Sequence, residues 1–159
     1  MKKTNRLLAG AVGVLLLLLC VSVYTQIDVK RDNSGFLEGR NWKDGSVIVM
    51  TFVRTRTGQD LAYLDAVADT WKKQQEALKN EGIILSYKVW QGNAATEADF
   101  NIILMTEYKD FRVMEENADK QTVILQTIAR ETQTSSQVLS DEKVREFFGV
   151  RAGRNIVLR

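Results

Sequence analysis

Two stretches of this chain are apolar on both of their alternating sets of side chains, and that pattern does most to limit its fold. In 47–55 the sets are Val47, Val49, Val53 and Ile48, Met50, Phe52; in 100–108 they are Phe100, Ile102, Leu104 and Ile103, Met105. Successive strand residues point to opposite faces, so these runs are strands with both faces out of water. The stretch 83–91 differs, with Ile83, Leu85, Tyr87 and Val89 on one set and Ser86 and Lys88 on the other. It reads as an edge strand. Residues 155–159 read as a short final strand.

Helices fall between these strands. After Thr57-Gly58-Gln59, Asp60 stands where an N-cap belongs, and Leu61, Leu64, Val67, Trp71, Gln75 and Leu78 recur at helical spacing. Gly82 ends that helix at the C′ position. Gly92 through Asp99 form a polar hairpin loop. Asp110 caps a second helix running to about Glu131, with Phe111, Met114, Ala118, Leu125 and Ile128 as its apolar members. A Thr/Ser/Gln break follows, then a short helix from Ser140-Asp141-Glu142 to Gly149.

The resulting order is β-α-β-β-α-(α)-β, an α+β ferredoxin-like arrangement with a four-stranded antiparallel sheet. Its first and third strands are central, which suits the two doubly apolar runs. Two long helices cover one face of such a sheet, so the second apolar face needs another partner. A symmetric pairing of two sheets in a homodimer would cover it. A ligand, the preceding tether or the short third helix are the other ways to cover part of it.

The N-terminus is a separate problem. Of 22 Lys and Arg, three (Lys2, Lys3 and Arg6) precede an uncharged run from Leu7 to Ile27; the rest of the chain holds 19 basic against 20 acidic residues. The basic balance therefore marks residues 1–24 as a signal peptide or N-terminal membrane anchor, not as a nucleic-acid surface. Three fates are open to it: cleavage after Ser22, retention as an N-in anchor, or lipidation at Cys20 within Leu17-Leu18-Leu19-Cys20. Each places the remainder outside the cytoplasm, in the periplasm or beyond. Residues 25–45 read as a polar tether and 46–159 as the folded domain.

Composition narrows the chemistry. There is no histidine, which excludes His-based acid/base catalysis and His metal ligands, and one cysteine, which excludes an internal disulfide. No phosphate-loop, dinucleotide or hydrolase motif is present. No cofactor, metal site or catalytic residue is implied.

The runs VIVMTFVRTRTGQD, ILSYKVWQGN and FNIILMTEYKD, with Trp71 on the intervening helix, resemble the dimeric α/β-barrel superfamily. Its members are ferredoxin-like domains that pair their sheets. The likeness covers 46–159 and is closest to uncharacterised exported bacterial members. It implies a fold and a homodimer, and brings no activity with it. Enzymes of that superfamily commonly use a histidine, so an oxygenase or isomerase here would have to work through Lys88, Asn101, Tyr108 or Arg54.

Polar groups on apolar strands are the local site signal. Arg54, Lys88, Trp90, Asn101 and Tyr108 lie on or beside the sheet and would suit a small anionic or aromatic ligand. The competing reading makes Arg54 and Lys88 solvated strand-end charges and Trp90 a core or dimer anchor. The leading expectation is an exported non-catalytic domain that homodimerises and holds a small apolar or anionic ligand. A cofactor-free enzyme and an envelope protein-interaction module are the alternatives.

Overall fold

A computed structural model of the chain describes residues 31–96 and 98–159. Residues 1–24, read from the sequence as a signal peptide or membrane anchor, and with them Cys20, lie outside the described residues. The chain divides after Lys43 into two units. Within the described part of the first, the Asp32 carboxylate accepts from the amides of Ser34 and Phe36, each at 2.9 Å. Gly35, at φ 78°, completes the turn that Asp32-Asn33-Ser34-Gly35 signals in the sequence. The Lys43 ammonium sits 4.8 Å from the Phe36 ring centroid.

The second unit carries the fold, apart from Trp42 and Lys43 at the start of its first strand. β1 (Trp42–Thr55) leads into α1 (Asp60–Ala66), a π turn (Val67–Trp71) and α2 (Lys72–Asn80). β2 (Ser86–Gln91) and β3 (Ile102–Tyr108) follow, then α3 (Phe111–Glu116), α4 (Ala118–Glu131), α5 (Gln133–Ser140) and β4 (Arg145–Leu158). The strands form one four-stranded antiparallel sheet in the order β2-β3-β1-β4. With a helical crossover on either side of the β2–β3 hairpin, this is the ferredoxin-like topology, and β1 and β3 are central as expected.

Parity on the strands explains the core. Val47, Val53, Ile102, Leu104 and Tyr108 share one face and are buried. One cluster joins Val47 and Tyr108 to Leu78, Ile83 and Ile84, with Met114, Ile124 and Leu125 packed against it. The other joins Val53, Ile102 and Leu104 to Tyr63 and Val67, with Trp71 alongside. Each such burial contributes about 1.5–3 kcal/mol. Polar groups inside this layer are paired: Thr70 donates to Thr132 at 2.8 Å, Thr106 to Gln75 at 2.9 Å and Tyr108 to Gln121 at 2.8 Å.

The helix ends follow their local chemistry. At the end of α2 the amide of Gly82 bonds to the Lys79 carbonyl at 2.9 Å, and that of Ile83 to Leu78 at 3.0 Å. Gly82 takes φ 68°, so this is a Schellman close with Ile83 packed on Leu78. The Asp110 carboxylate accepts from the Val113 amide at 2.8 Å and caps α3. Asp60, in contrast, is the first residue of α1 and makes no cap bond; its carboxylate accepts from Thr55 and Asn101 instead.

Several expectations need correction. The helix foreseen from Ser140 to Gly149 is absent, and β4 occupies 145–158 rather than only 155–159. The third helix is α5, within the stretch read as a break. Its register is fixed from outside: Asp69 of the π turn accepts from Ser135 at 2.7 Å, beside the Thr70–Thr132 bond. Tertiary partners override weak propensity there. The second long helix is also interrupted at Asn117, between α3 and α4. Finally, β2 starts at Ser86, not Ile83: Ile83 and Ile84 are both buried in the connection, while Leu85 is half exposed.

Candidate functional site

The even-numbered side chains of β1 point away from the helices, and register places their neighbours. Across β1, β3 and β2 the rows run Ile48–Glu107–Ser86, Met50–Met105–Lys88 and Phe52–Ile103–Trp90. These three rows form one face: polar at one end, apolar in the middle and aromatic at the other. Ile48, Met50, Phe52, Ile103 and Met105 are only partly buried, and Trp90 is 45% exposed. The helices all lie on the opposite side.

The polar end is organised by Glu107. Ser46 and Ser86 each donate a hydroxyl to its two oxygens at 2.5 Å, and Asn155 donates to Ser46 at 2.8 Å. The Ser46 bond, then the Ser86 bond, hold the Glu107 carboxyl below its usual range, with the Lys88 charge adding to the effect.

Four rings cross the other end of the face. Trp90 meets Phe100 edge-on at 6.4 Å, and Phe100 meets Phe52 at 4.8 Å and 63°. Phe148 of β4 continues the line beneath the Arg54 guanidinium, 5.6 Å from its centroid. Arg151 sits 5.9 Å from the Phe52 centroid. Phe52, Phe100, Phe148, Ala98, Asp99 and Arg151 line a half-open slot of about 260 Å³. Gly92 keeps the row in place, since a Cβ there would lie 2.1 Å from the Trp90 ring.

A larger cavity of about 620 Å³ opens at the end of β1, lined by Arg54, Thr55, Arg56, Asp60, Thr96, Asn101 and neighbours. Its polar groups are engaged either with one another or with Glu146 of β4. Asn101 accepts from the Thr55 amide at 3.0 Å and donates to the Thr55 hydroxyl at 2.8 Å and Asp60 at 3.1 Å. Arg54 and Arg56 converge on the same Glu146 oxygen at 2.6 and 3.4 Å. This network ties β1 to the helix start and to β4.

The five residues singled out from sequence therefore part company. Arg54 and Asn101 meet in the larger cavity. Lys88 and Trp90 stand on the open face, two residues apart on β2. Tyr108 lies on the helix side, buried, its hydroxyl bonded to Gln121 and pushed up in pKa by that burial. Phe52, Phe148 and Arg151 were not singled out. Phe148 fell within the expected helix, so nothing in the pattern aligned it with Phe52. Among the described residues no cluster of three acidic, Cys or His side chains is placed for a metal.

The topology and this face define the class of the chain: a ferredoxin-like α+β domain with one sheet face that no helix covers among the described residues. No family model matches the sequence, and no curated protein matches it. Several solved structures are similar. A protein from Shewanella oneidensis is 14% identical over 73% of this chain and 98% of its own, with a TM-score of 0.45. A dimeric ferredoxin-like protein from an uncultured marine organism is 13% identical over 72% of this chain and 95% of its own, TM-score 0.45. A dimeric protein of unknown function and ferredoxin-like fold from Bacteroides fragilis is 15% identical over 76% and 98%, TM-score 0.38. The fold assignment of this chain rests on its own strand order.

Proposed function

We propose that this chain is an exported, non-catalytic ferredoxin-like domain that homodimerises through its open sheet face and holds a small apolar or anionic ligand beside it. The observation that carries the reading is the row structure of that face. Met50, Met105, Phe52, Ile103 and Trp90 are contiguous, and the helices cover only the other side. Contiguous apolar surface of this kind marks an interaction site, and a self-complementary pairing of identical patches closes without leaving a further face. Export rests on the three cations and the uncharged run at the N-terminus. The non-catalytic reading is supported by the larger cavity, where Asn101, Thr55 and Asp60 bond to one another and Arg54 and Arg56 are held by Glu146, which leaves no converging acid and base among the described lining residues.

Light scattering of a fragment starting at Gln26, across a dilution series, tests the assembly. A mass of twice the fragment that falls only at high dilution is expected. A monomer at every concentration would overturn the homodimer.

A further inference from the structure

We propose that the slot between β1, β4 and the 98–100 turn binds a monocyclic aromatic carboxylate, the ring seated against Phe52, Phe100 and Phe148 and the carboxylate held by Arg151. This rests on the small-ligand part of the reading above and names the class of ligand. Size comes first. An apolar cavity of about 150 Å³ admits benzene, and pockets for drug-sized ligands begin near about 300 Å³. At about 260 Å³ the slot fits one substituted ring.

Chemistry comes second. Aromatic edges and faces on several sides favour a flat ring, because rings gain from edge-to-face contacts beyond their buried area. The guanidiniums near the slot are not equivalent. Arg54 is held by Glu146 at 2.6 Å. Arg151 makes no ion pair among the described residues; its contact is with the Phe52 ring at 5.9 Å. It is an exposed cation whose donors are open to a carboxylate, for which a guanidinium is the matching fork. Asp99, the acid in the lining, has its two oxygens engaged by the amides of Ala95 at 3.1 Å and Phe100 at 3.0 Å. It shapes the turn. The larger cavity fails on the same criterion, since its arginines already share a carboxylate.

The test is equilibrium dialysis of labelled benzoate, and separately of benzyl alcohol, against the full chain in a non-ionic detergent with protein-free micelles as the blank. Saturable benzoate binding at one per chain is expected. Arg151→Gln should weaken benzoate by about tenfold or more, the loss of a charge-assisted pair, and leave benzyl alcohol unchanged, which also shows the variant is folded. Phe148→Ala should weaken both probes. Benzoate uptake no greater than the blank, or equal benzoate affinity in Arg151→Gln, would overturn the proposal. A dimer that takes up no benzoate overturns this inference alone. A monomer that binds it overturns the homodimer alone.

Discussion

Glu107 is a carboxylate at the edge of an apolar face, and two serine hydroxyls make that position tolerable. Removing both donors is the direct way to see their effect. In a variant carrying Ser46→Ala and Ser86→Ala, the Glu107 pKa should rise back towards the ordinary 4.5, read from its side-chain carbon shift in an NMR titration. The sign for stability follows. A carboxylate with a depressed folded pKa stabilises the fold fully above its unfolded value, and that contribution is lost as pH falls through the folded value. The wild type should therefore lose stability in the acid range more steeply than the double variant. Identical carbon titrations would mean that the hydroxyls do not set the Glu107 charge. Tyr108 shows the opposite lesson at the same scale. Its type and position suited a ligand contact, but strand parity turns it inward, and parity depends on a register that a single residue does not reveal.

At the scale of elements, much of the architecture was legible because local chemistry and burial agree. The doubly apolar runs are the central strands, Gly82 ends α2 and Asp110 caps α3. β4 was hidden for two physical reasons. Asp141 looks like a helix N-cap, yet its carboxylate accepts from the Lys143 amide at 2.8 Å and its carbonyl from Val144 and Arg145, each at 3.0 Å, forming a turn. Short acidic side chains serve both motifs. Strand alternation is also broken. Glu146 and Phe148 reach Arg54 on the open face, whereas Arg151 reaches Phe52 and Asn155 reaches Ser46 on that same face. Side-chain parity shifts by one between Phe148 and Arg151, across Gly149 at φ 129°. Other residues rarely adopt that angle, so Gly149→Ala should cost about 1–3 kcal/mol in urea denaturation. It should also weaken benzoate binding by moving Phe148 and Arg151 apart. A variant as stable as wild type would show that the strand tolerates an ordinary residue there. The aromatic slot was illegible for the same reason, since two of its six lining residues, Phe148 and Arg151, come from β4.

At the scale of the whole molecule, the sheet divides two tasks. The odd positions of β1 and the even positions of β3 hold the helices, and the opposite sets face away from them, where the proposed homodimer would bring a second copy. Ile103 sits in the middle strand of the aromatic row, opposite both Phe52 and Trp90. A charge there has little effect on a monomer, because the position is only partly buried and faces away from both core clusters. In a sheet-on-sheet dimer the same charge is buried in an apolar interior, where an unpaired ion costs several kcal/mol. Ile103→Glu should thus yield a folded monomer. Coupling of folding to assembly supplies a second readout. The melting temperature of a dimer rises with protein concentration by mass action, and that of a monomer does not. Wild type should show the rise and Ile103→Glu should lose it, with the same circular dichroism before melting. A variant that remains dimeric would move the interface off this face, to the outer strand β4, where Phe147, Val150, Ile156 and Leu158 are exposed.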